Sequence, residues 1–324
     1  MTFPARLEIP DEVLEIARTL ERAGHEVWCV GGALRDRLLG DPHSDYDFAT
    51  SARPEEVRKL FRRTAAVGIK YGTVGVIDRH RVMHEVTTFR RDVTTDGRHA
   101  VVEYGASLEE DLARRDFTIN AIAYHPLRET WRDPFSGADD LKRGVVRAVG
   151  IAAERFREDY LRILRALRFA ARFGFDIVPA TWDAALAAAP GLVRLSAERV
   201  RDEWFKALET ARDPDVLVRL WIEVGAAERW MPELLLQRGP IASSAARARP
   251  RDPVRLTALY AADPVVVLRR LKASNAEIGR AAAIVQGPGA PVGDSERDAR
   301  RWLARVGVAA DDVAAMHLLR HGTE

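Results

Sequence analysis

The stretch from Val30 to Thr50 sets the terms for the whole chain. It begins where an apolar strand, residues 26–30, runs into the pair Gly31-Gly32. A helical segment with an early arginine, Arg35, follows, then Leu38-Leu39-Gly40, and the stretch ends in Asp45-x-Asp47. On a β-strand, residues two apart point to the same face, so both carboxylates aim at one point in space. Such a pair attracts a hard, oxygen-seeking cation, and Mg²⁺ is typically held by one or two carboxylates plus substrate phosphates. Backbone able to approach closely at two glycines, a helix N-terminus and an arginine beside paired acids read together as a site for a nucleoside triphosphate and its metal. Each piece alone is commonplace. The order of the set is what makes it specific.

That ordered set resembles the signature GGxxRDxLLGxxxxDxDxxT of the polymerase-β nucleotidyltransferase superfamily. The branch it resembles is the bacterial class II tRNA nucleotidyltransferases (CCA-adding enzymes) and their relatives, the bacterial poly(A) polymerases. The resemblance implies that Asp45 and Asp47 are the catalytic, metal-holding carboxylates and that Gly32 and Arg35 contact the nucleotide. The superfamily commonly uses a third carboxylate on a neighbouring strand, and Glu85 is the candidate; it is equally readable as a plain cross-strand acid.

Bulk properties agree with an ordinary globular protein. The chain has 324 residues, enough for two or more domains, with 47% hydrophobic and 30% charged residues. A formal net charge of +2 rules out a polycation, but arginine dominates over lysine and permits a basic face suited to phosphates and bases. The single cysteine, Cys29, excludes an internal disulfide framework and falls in the apolar strand, where a small buried hydrophobe is expected. The first residues carry no long apolar run and no stretch of 18 apolar residues exists, so neither a signal peptide nor a membrane span is expected, and the expected location is the cytoplasm.

The remainder of the first half is expected to build an α/β head. Residues 10–24 and 52–61 read as helices, the first amphipathic with acids in its first turn and Gly24 as a stop, the second with Pro54 in its first turn. Residues 70–77 and 82–89 read as paired strands joined by a turn at 78–81. Residues 90–108 lose periodicity and read as a mobile loop. In position it resembles the flexible loop of the CCA-adding family, and its near-full length implies an enzyme able to add A, since relatives adding only CC have a shortened loop. His80 and His84 do not make a zinc site in a turn-strand context. The run from Arg114 to Ala121 resembles the family's second motif, which handles the sugar and phosphates. Arg115 suits a phosphate oxygen, Asp116 the ribose hydroxyls, and Asn120 belongs to the same motif. Residues 131–150 show turn chemistry and a short strand that closes the head.

From residue 153 onward the pattern is helical. The strongest helix is 158–172, with apolar Tyr160, Leu164, Leu167 and Ala171 on one side and Asp159, Arg162, Arg165 and Arg168 as a charged stripe. By itself such a stripe reads as surface ion pairs worth a few tenths of a kcal/mol, roughly 0.2–0.5 each. The resemblance implies more, because Glu-Asp-x-x-Arg is the motif with which class II enzymes choose the incoming base without a template. Cytosine and adenine both present an amino donor beside a ring-nitrogen acceptor, which suits Asp159 next to Arg162. Uracil and guanine invert that pattern, and each unpaired buried polar group costs roughly 1–3 kcal/mol. Arg165 and Arg168 then suit the triphosphate, or hold the selecting pair in place.

Short helices are expected at 180–189, 196–210 (Ser196 as N-cap), 214–224, 254–262, 264–273, 275–285, 295–306 and 311–321. The helix at 197–208 resembles one that braces the base-selecting helix. A basic, Pro-rich linker is expected at 237–253 and a second break at 286–293. No His-Asp phosphohydrolase motif and no long basic tail are found. The expected fold is α+β, with a nucleotidyltransferase head of mixed, mainly antiparallel sheet at 1–142, a base-selecting helical neck at 143–210, a helical body at 211–262 and a helical tail at 263–324. The resemblance implies template-independent addition of CCA to tRNA from CTP and ATP with Mg²⁺, the helical half gripping the acceptor and TΨC arms. Addition of A only or CC only, a small poly(A) polymerase, and an inactive RNA-binding relative stay open.

Overall fold

The computed structural model describes residues 3–41, 46–95, 100–235, 251–289, 291 and 295–321. The chain divides into two compact units, residues 1–159 with 177–181, and residues 160–176 with 182–324.

The first unit is built on a seven-stranded sheet. Its strands are β1 (Val27–Val30), β2 (Asp47–Thr50), β3 (Thr64–Gly68), β4 (Thr73–Ile77), β5 (Met83–Thr88), β8 (Ala123–His125) and β9 (Thr130–Arg132), in the order β3-β4-β5-β2-β1-β8-β9. Every neighbouring pair is antiparallel except β2 with β5, the mixed, mainly antiparallel sheet expected. Strand alternation sorts the side chains into two layers. Val27, Cys29, Phe48, Val74, Val76, Val86 and Tyr124 face one core, closed by α1 (Asp11–Arg22), α2 (Gly32–Leu38) and α3 (Pro54–Leu60). Trp28, Val30, Ala49 and Ala123 face a second core that includes Leu108 and Leu112 of α4 (Leu108–Ala113). Helix α1 forms because Val13, Ile16, Ala17 and Leu20 recur at helical spacing, with Asp11 and Glu12 complementing its N-terminal dipole. Cys29 is fully buried and unpaired, and burial pushes its thiol well up.

Three local expectations are corrected. Residues 90–108 are largely regular: β6 (Arg90–Thr95) and β7 (Ala100–Tyr104) form an antiparallel ribbon, with residues 96–99 outside the described set. Residues 131–150 hold a helix, α5 (Gly137–Arg143), which the turn-like composition concealed. The helix expected at 158–172 is interrupted. Helix α6 (Ala152–Glu158) ends at Asp159, whose backbone is extended at φ −154° and ψ 107°, and α7 begins only at Leu161.

The second unit is helical apart from the short edge at Asp176. Helix α7 (Leu161–Phe173) ends on Gly174 in the left-handed conformation that favours glycine. It packs on α9 (Ala197–Thr210) and α10 (Pro214–Glu223), α8 being Pro179–Ala188 and α11 Ala226–Trp230. Ser196 caps α9 through the Arg199 amide. Then come α12 (Pro253–Tyr260), α13 (Pro264–Arg270), α14 (Asn275–Gln286), α15 (Glu296–Val306) and α16 (Ala310–His321). The expected linker at 237–253 falls mostly outside the described residues, and so does part of the break at 286–293. Among the described residues, no helix is long and apolar enough to cross a membrane.

The hub of this unit is aromatic. Trp204 and Trp221 are fully buried and meet edge to face with ring centroids 4.9 Å apart. The Trp204 indole N–H donates to Thr257 Oγ1 at 3.0 Å, tying α9 to α12. Trp204→Ala is expected to destabilise this unit by about 3–5 kcal/mol, read as an earlier urea transition.

Candidate active site

The site begins at a corner. Strand β1 stops at Val30, which lies opposite Asp47, and the next residue, Gly31, has φ 79° and ψ −140°. L side chains rarely adopt that backbone. The corner is also crowded, because a Cβ on Gly31 would stand 3.3 Å from Arg115 Nη1 and 3.4 Å from Asp47 Oδ2. The bare glycine therefore admits a carboxylate and a guanidinium to the same corner. Gly32 then starts α2, and Arg35 Nη2 lies 3.3 Å from where a Gly32 Cβ would be.

Sheet alternation decides which face Asp47 uses. Phe48 and Val86 are partners in the parallel β2–β5 pair, and both enter the core beneath α1. One residue earlier on each strand, Asp47 and Glu85 stand side by side on the opposite face, the face of Val30 and Ala49. Asp45 lies outside the described residues.

A polar network backs this corner. Arg35 is only 4% exposed. Its Nε donates to Asp36 Oδ1 at 2.8 Å and its Nη1 to Asn120 Oδ1 at 2.5 Å. Asn120 Nδ2 donates to Asp116 Oδ1 at 2.9 Å, which also accepts the Phe117 amide at 2.8 Å. Arg115 donates through Nη1 to the Asn120 carbonyl at 3.3 Å and through Nη2 to Asp111 Oδ2 at 3.2 Å. The tight turn at Thr118–Asn120 brings this motif back toward α2. Arg35, Arg115, Asp116 and Asn120 thus form one network next to Gly32, and Arg115 reaches the Gly31 corner that Asp47 also borders.

Asp111 is the member that sequence reasoning missed. It is wholly buried on α4 and accepts from both Arg114, at 2.7 Å, and Arg115. Burial pushes its carboxyl up, but the guanidinium groups of Arg115 and Arg114 outweigh that and hold it below the ordinary value. The spacing i, i+3 and i, i+4 from Asp111 to the two arginines was the available signal.

In the second unit, Arg162 sits in the first turn of α7 and is half-buried. Because α7 starts at Leu161, Asp159 and Arg162 are not an i, i+3 pair on one continuous helix. The Arg165 guanidinium lies 5.4 Å from the Phe169 ring. Arg168 is 3% exposed, pairs with Glu203 of α9 at 2.5 Å and covers the Phe169 ring at 4.3 Å, so it is tied into the α7–α9 packing. Burial and the neighbouring Arg168 pull Lys206 below the ordinary lysine value, with Arg165 and Arg172 adding to the effect, which marks a concentration of positive charge along α7 and α9.

Comparison with known proteins fits this geometry. Residues 27–147 match the poly A polymerase head domain, and residues 174–236 match the probable RNA and SrmB-binding site of polymerase A. The CCA-adding enzyme of Leuconostoc mesenteroides is 48% identical over 206 residues, 62% of this chain and 51% of that protein. The crystal structure of the Bacillus stearothermophilus CCA-adding enzyme in complex with CTP is 35% identical, with a TM-score of 0.83 over 97% of this chain and 78% of that one. The chain belongs to the CCA-adding enzyme family. Its match to the curated family members spans about half of their length. The Thermotoga maritima CCA-adding enzyme complexed with tRNA, 21% identical with a TM-score of 0.69 over 98% of this chain and 80% of that one, shares the fold.

Enzymes of this nucleotidyltransferase superfamily use divalent metals. Asp47 and Glu85 offer only hard carboxylate oxygens on one sheet face, and this donor set fits such a cation. Among the described residues no three His, Cys, Asp or Glu side chains are grouped to hold a metal, and the other expected ligand, Asp45, lies outside them.

Asp111→Ala is expected to lower the free energy of unfolding by about 1–3 kcal/mol, since two guanidinium groups lose a buried acceptor. In the unaltered protein the contribution of Asp111 is complete above the ordinary aspartate value of 3.8 and is lost as pH falls through its lower folded value. Denaturant titrations below pH 5 should therefore show the variant losing less stability on acidification.

Proposed function

We propose that this chain adds C, C and A to the 3′ end of tRNA from CTP and ATP, without a nucleic-acid template. The observation that carries the proposal is the Gly31 corner, where the Asp47 carboxylate and the Arg115 guanidinium meet at a backbone with no side chain in the way. Family membership supports it, as do the CTP complex of the Bacillus relative and the tRNA complex of the Thermotoga one. In this reading residues 1–142 are the head, 143–210 the neck, 211–262 the body and 263–324 the tRNA-binding tail. A cytoplasmic location accompanies it.

Asp45 and Asp47, with Glu85 as a third carboxylate, would hold two Mg²⁺, which supply activation of the primer 3′-hydroxyl and neutralise charge on the triphosphate and the departing pyrophosphate. Phosphoryl transfer then asks the protein for positioning and charge stabilisation rather than for a covalent intermediate. Gly31 and Gly32 let the backbone approach the triphosphate. Arg115 meets a phosphate oxygen, and Asp116 accepts from the ribose hydroxyls. Arg35, held between Asp36 and Asn120, acts by fixing Asn120 and through it Asp116. Asp159 and Arg162 match the donor–acceptor edge shared by cytosine and adenine and mismatch uracil and guanine. Asp159 enters this role from an extended residue that follows α6, not from a helical position. Arg165 faces phosphate, and Arg168, paired with Glu203, steadies the first turns of α7 for Arg162. The cationic run along α7 and α9 suits an RNA backbone or a triphosphate.

The reading is tested with a tRNA lacking its CCA end, supplied with each labelled nucleotide in turn, and sequencing of the product. The expected product is CCA; incorporation of A alone, of CC alone or of a long A tract would replace the proposal with the corresponding relative. Asp47→Ala should abolish incorporation with the circular dichroism spectrum unchanged. Asp159→Ala should lower the preference for CTP and ATP over UTP and GTP by about tenfold or more, each mismatched polar group being worth about 1–3 kcal/mol; an unaltered preference would remove Asp159 from base selection.

A further inference from the structure

The residue between the two aspartates, Tyr46, has an arrangement that the proposed chemistry does not use. Tyr46 is 1% exposed, and its amide comes just before the ladder between β2 and β5. Extending the parallel register one step past Asp47 and Glu85 sets Tyr46 beside His84. There the backbone pairing is replaced by a side chain, with the Tyr46 N–H donating to His84 Nδ1 at 3.1 Å. His84 is itself 1% exposed and meets the Phe48 ring edge to face, with ring centroids 6.3 Å apart. An Nδ1 that accepts leaves the imidazole proton on Nε2, and that nitrogen faces Asp78 Oδ2 at 3.4 Å. The other Asp78 oxygen accepts the Val82 amide at 2.8 Å, so the carboxylate is locked into the turn between β4 and β5.

The chain of contacts runs from the β4–β5 turn, through Asp78 and His84, to the amide one residue before Asp47. His84 shares the sheet face of Phe48 and Val86, opposite to that of Asp47 and Glu85. It therefore cannot touch a metal or nucleotide held by Asp47. What it holds is the Tyr46 amide, one residue before Asp47. A buried amide without an acceptor costs free energy comparable to a lost hydrogen bond, which favours any shift of this peptide that finds it another partner.

We propose that His84 is a positioning residue for the metal-holding carboxylate Asp47, acting through the Tyr46 amide and oriented by Asp78. This rests on the reading of Asp47 as a metal ligand. It adds a support beneath the sheet, of the kind whose removal typically costs about 10–100-fold in metal affinity.

The test compares His84→Leu, which fills the same space without an acceptor, with His84→Asn, whose Oδ1 can take the Tyr46 amide. Mn²⁺ binding is measured by loss of the free-ion paramagnetic resonance signal in the presence of a non-hydrolysable CTP analogue, alongside thermal melting. The expected result is a Kd for Mn²⁺ raised about tenfold in His84→Leu and restored to within about threefold by His84→Asn. Equal Mn²⁺ affinities in the two variants, with only the melting temperature lowered, would overturn the proposal and leave His84 a core residue. Asp47→Asn separates the two levels. If it leaves Mn²⁺ binding intact, the metal reading of Asp47 fails and the proposal with it. If it abolishes binding while His84→Leu binds normally, the positioning role alone fails.

Discussion

The missing side chain at Gly31 is the constraint on which the candidate site depends. A positive φ turns the chain sharply after β1, and the space a Cβ would need is bordered by Asp47 and Arg115 at 3.3–3.4 Å. A larger residue would be strained at this positive φ, and its Cβ would press on the Arg115 guanidinium and touch the Asp47 carboxylate. The segments before and after this corner obey the same demand. Strand β1 is apolar on both faces because helices cover both sides of the sheet. Helix α2 follows at once, so that Arg35 can fold back over Gly32 toward Asn120.

Both units contain buried carboxylates that are paired with guanidinium groups. Asp111 holds Arg114 and Arg115, Glu203 holds Arg168, and Asp312 holds Arg255 and Arg280. Such pairs contribute little net stability over apolar packing, but losing one partner is severe. Their value here is orientation. Arg115 reaches the Gly31 corner because Asp111 fixes its other edge, and α7 keeps its rotation against α9 because Arg168 cannot leave Glu203.

Local patterns in the sequence carry the parts of this architecture that local physics decides. The turn from strand to helix at Val30–Gly32, the periodic face of α1, the paired strands β4 and β5 and the helical second half are all legible, because burial imposes period on them. The β6–β7 ribbon is hard to read from sequence where it can be followed, since Arg91 and Glu103, directly paired across it, are both exposed and give no apolar alternation. Helix α5 was hidden by the Pro134, Ser136 and Gly137 that precede or open it. The break at Asp159 left no mark, since Glu-Asp-Tyr-Leu suits a helix as well as a hinge. Asp111 looked like one more acid in a helix first turn, and only its arginine partners reveal it as buried. His84 and Tyr46 are 38 residues apart, and no local pattern announces that an imidazole will replace a backbone acceptor.

The parallel pairing of β2 with β5 has a further consequence for how the molecule comes into being. Asp47 and Glu85 become neighbours only after the chain has made α3, β3 and β4 and returned in the same direction. A parallel pair cannot be closed by a tight turn, and closing so long a loop costs entropy before any contact repays it. The hairpin of β4 and β5 can form on its own, whereas the β2–β5 seam must wait for the long return. The face that unites the two carboxylates thus depends on a non-local pairing, and a chain that has not closed the β2–β5 seam lacks it.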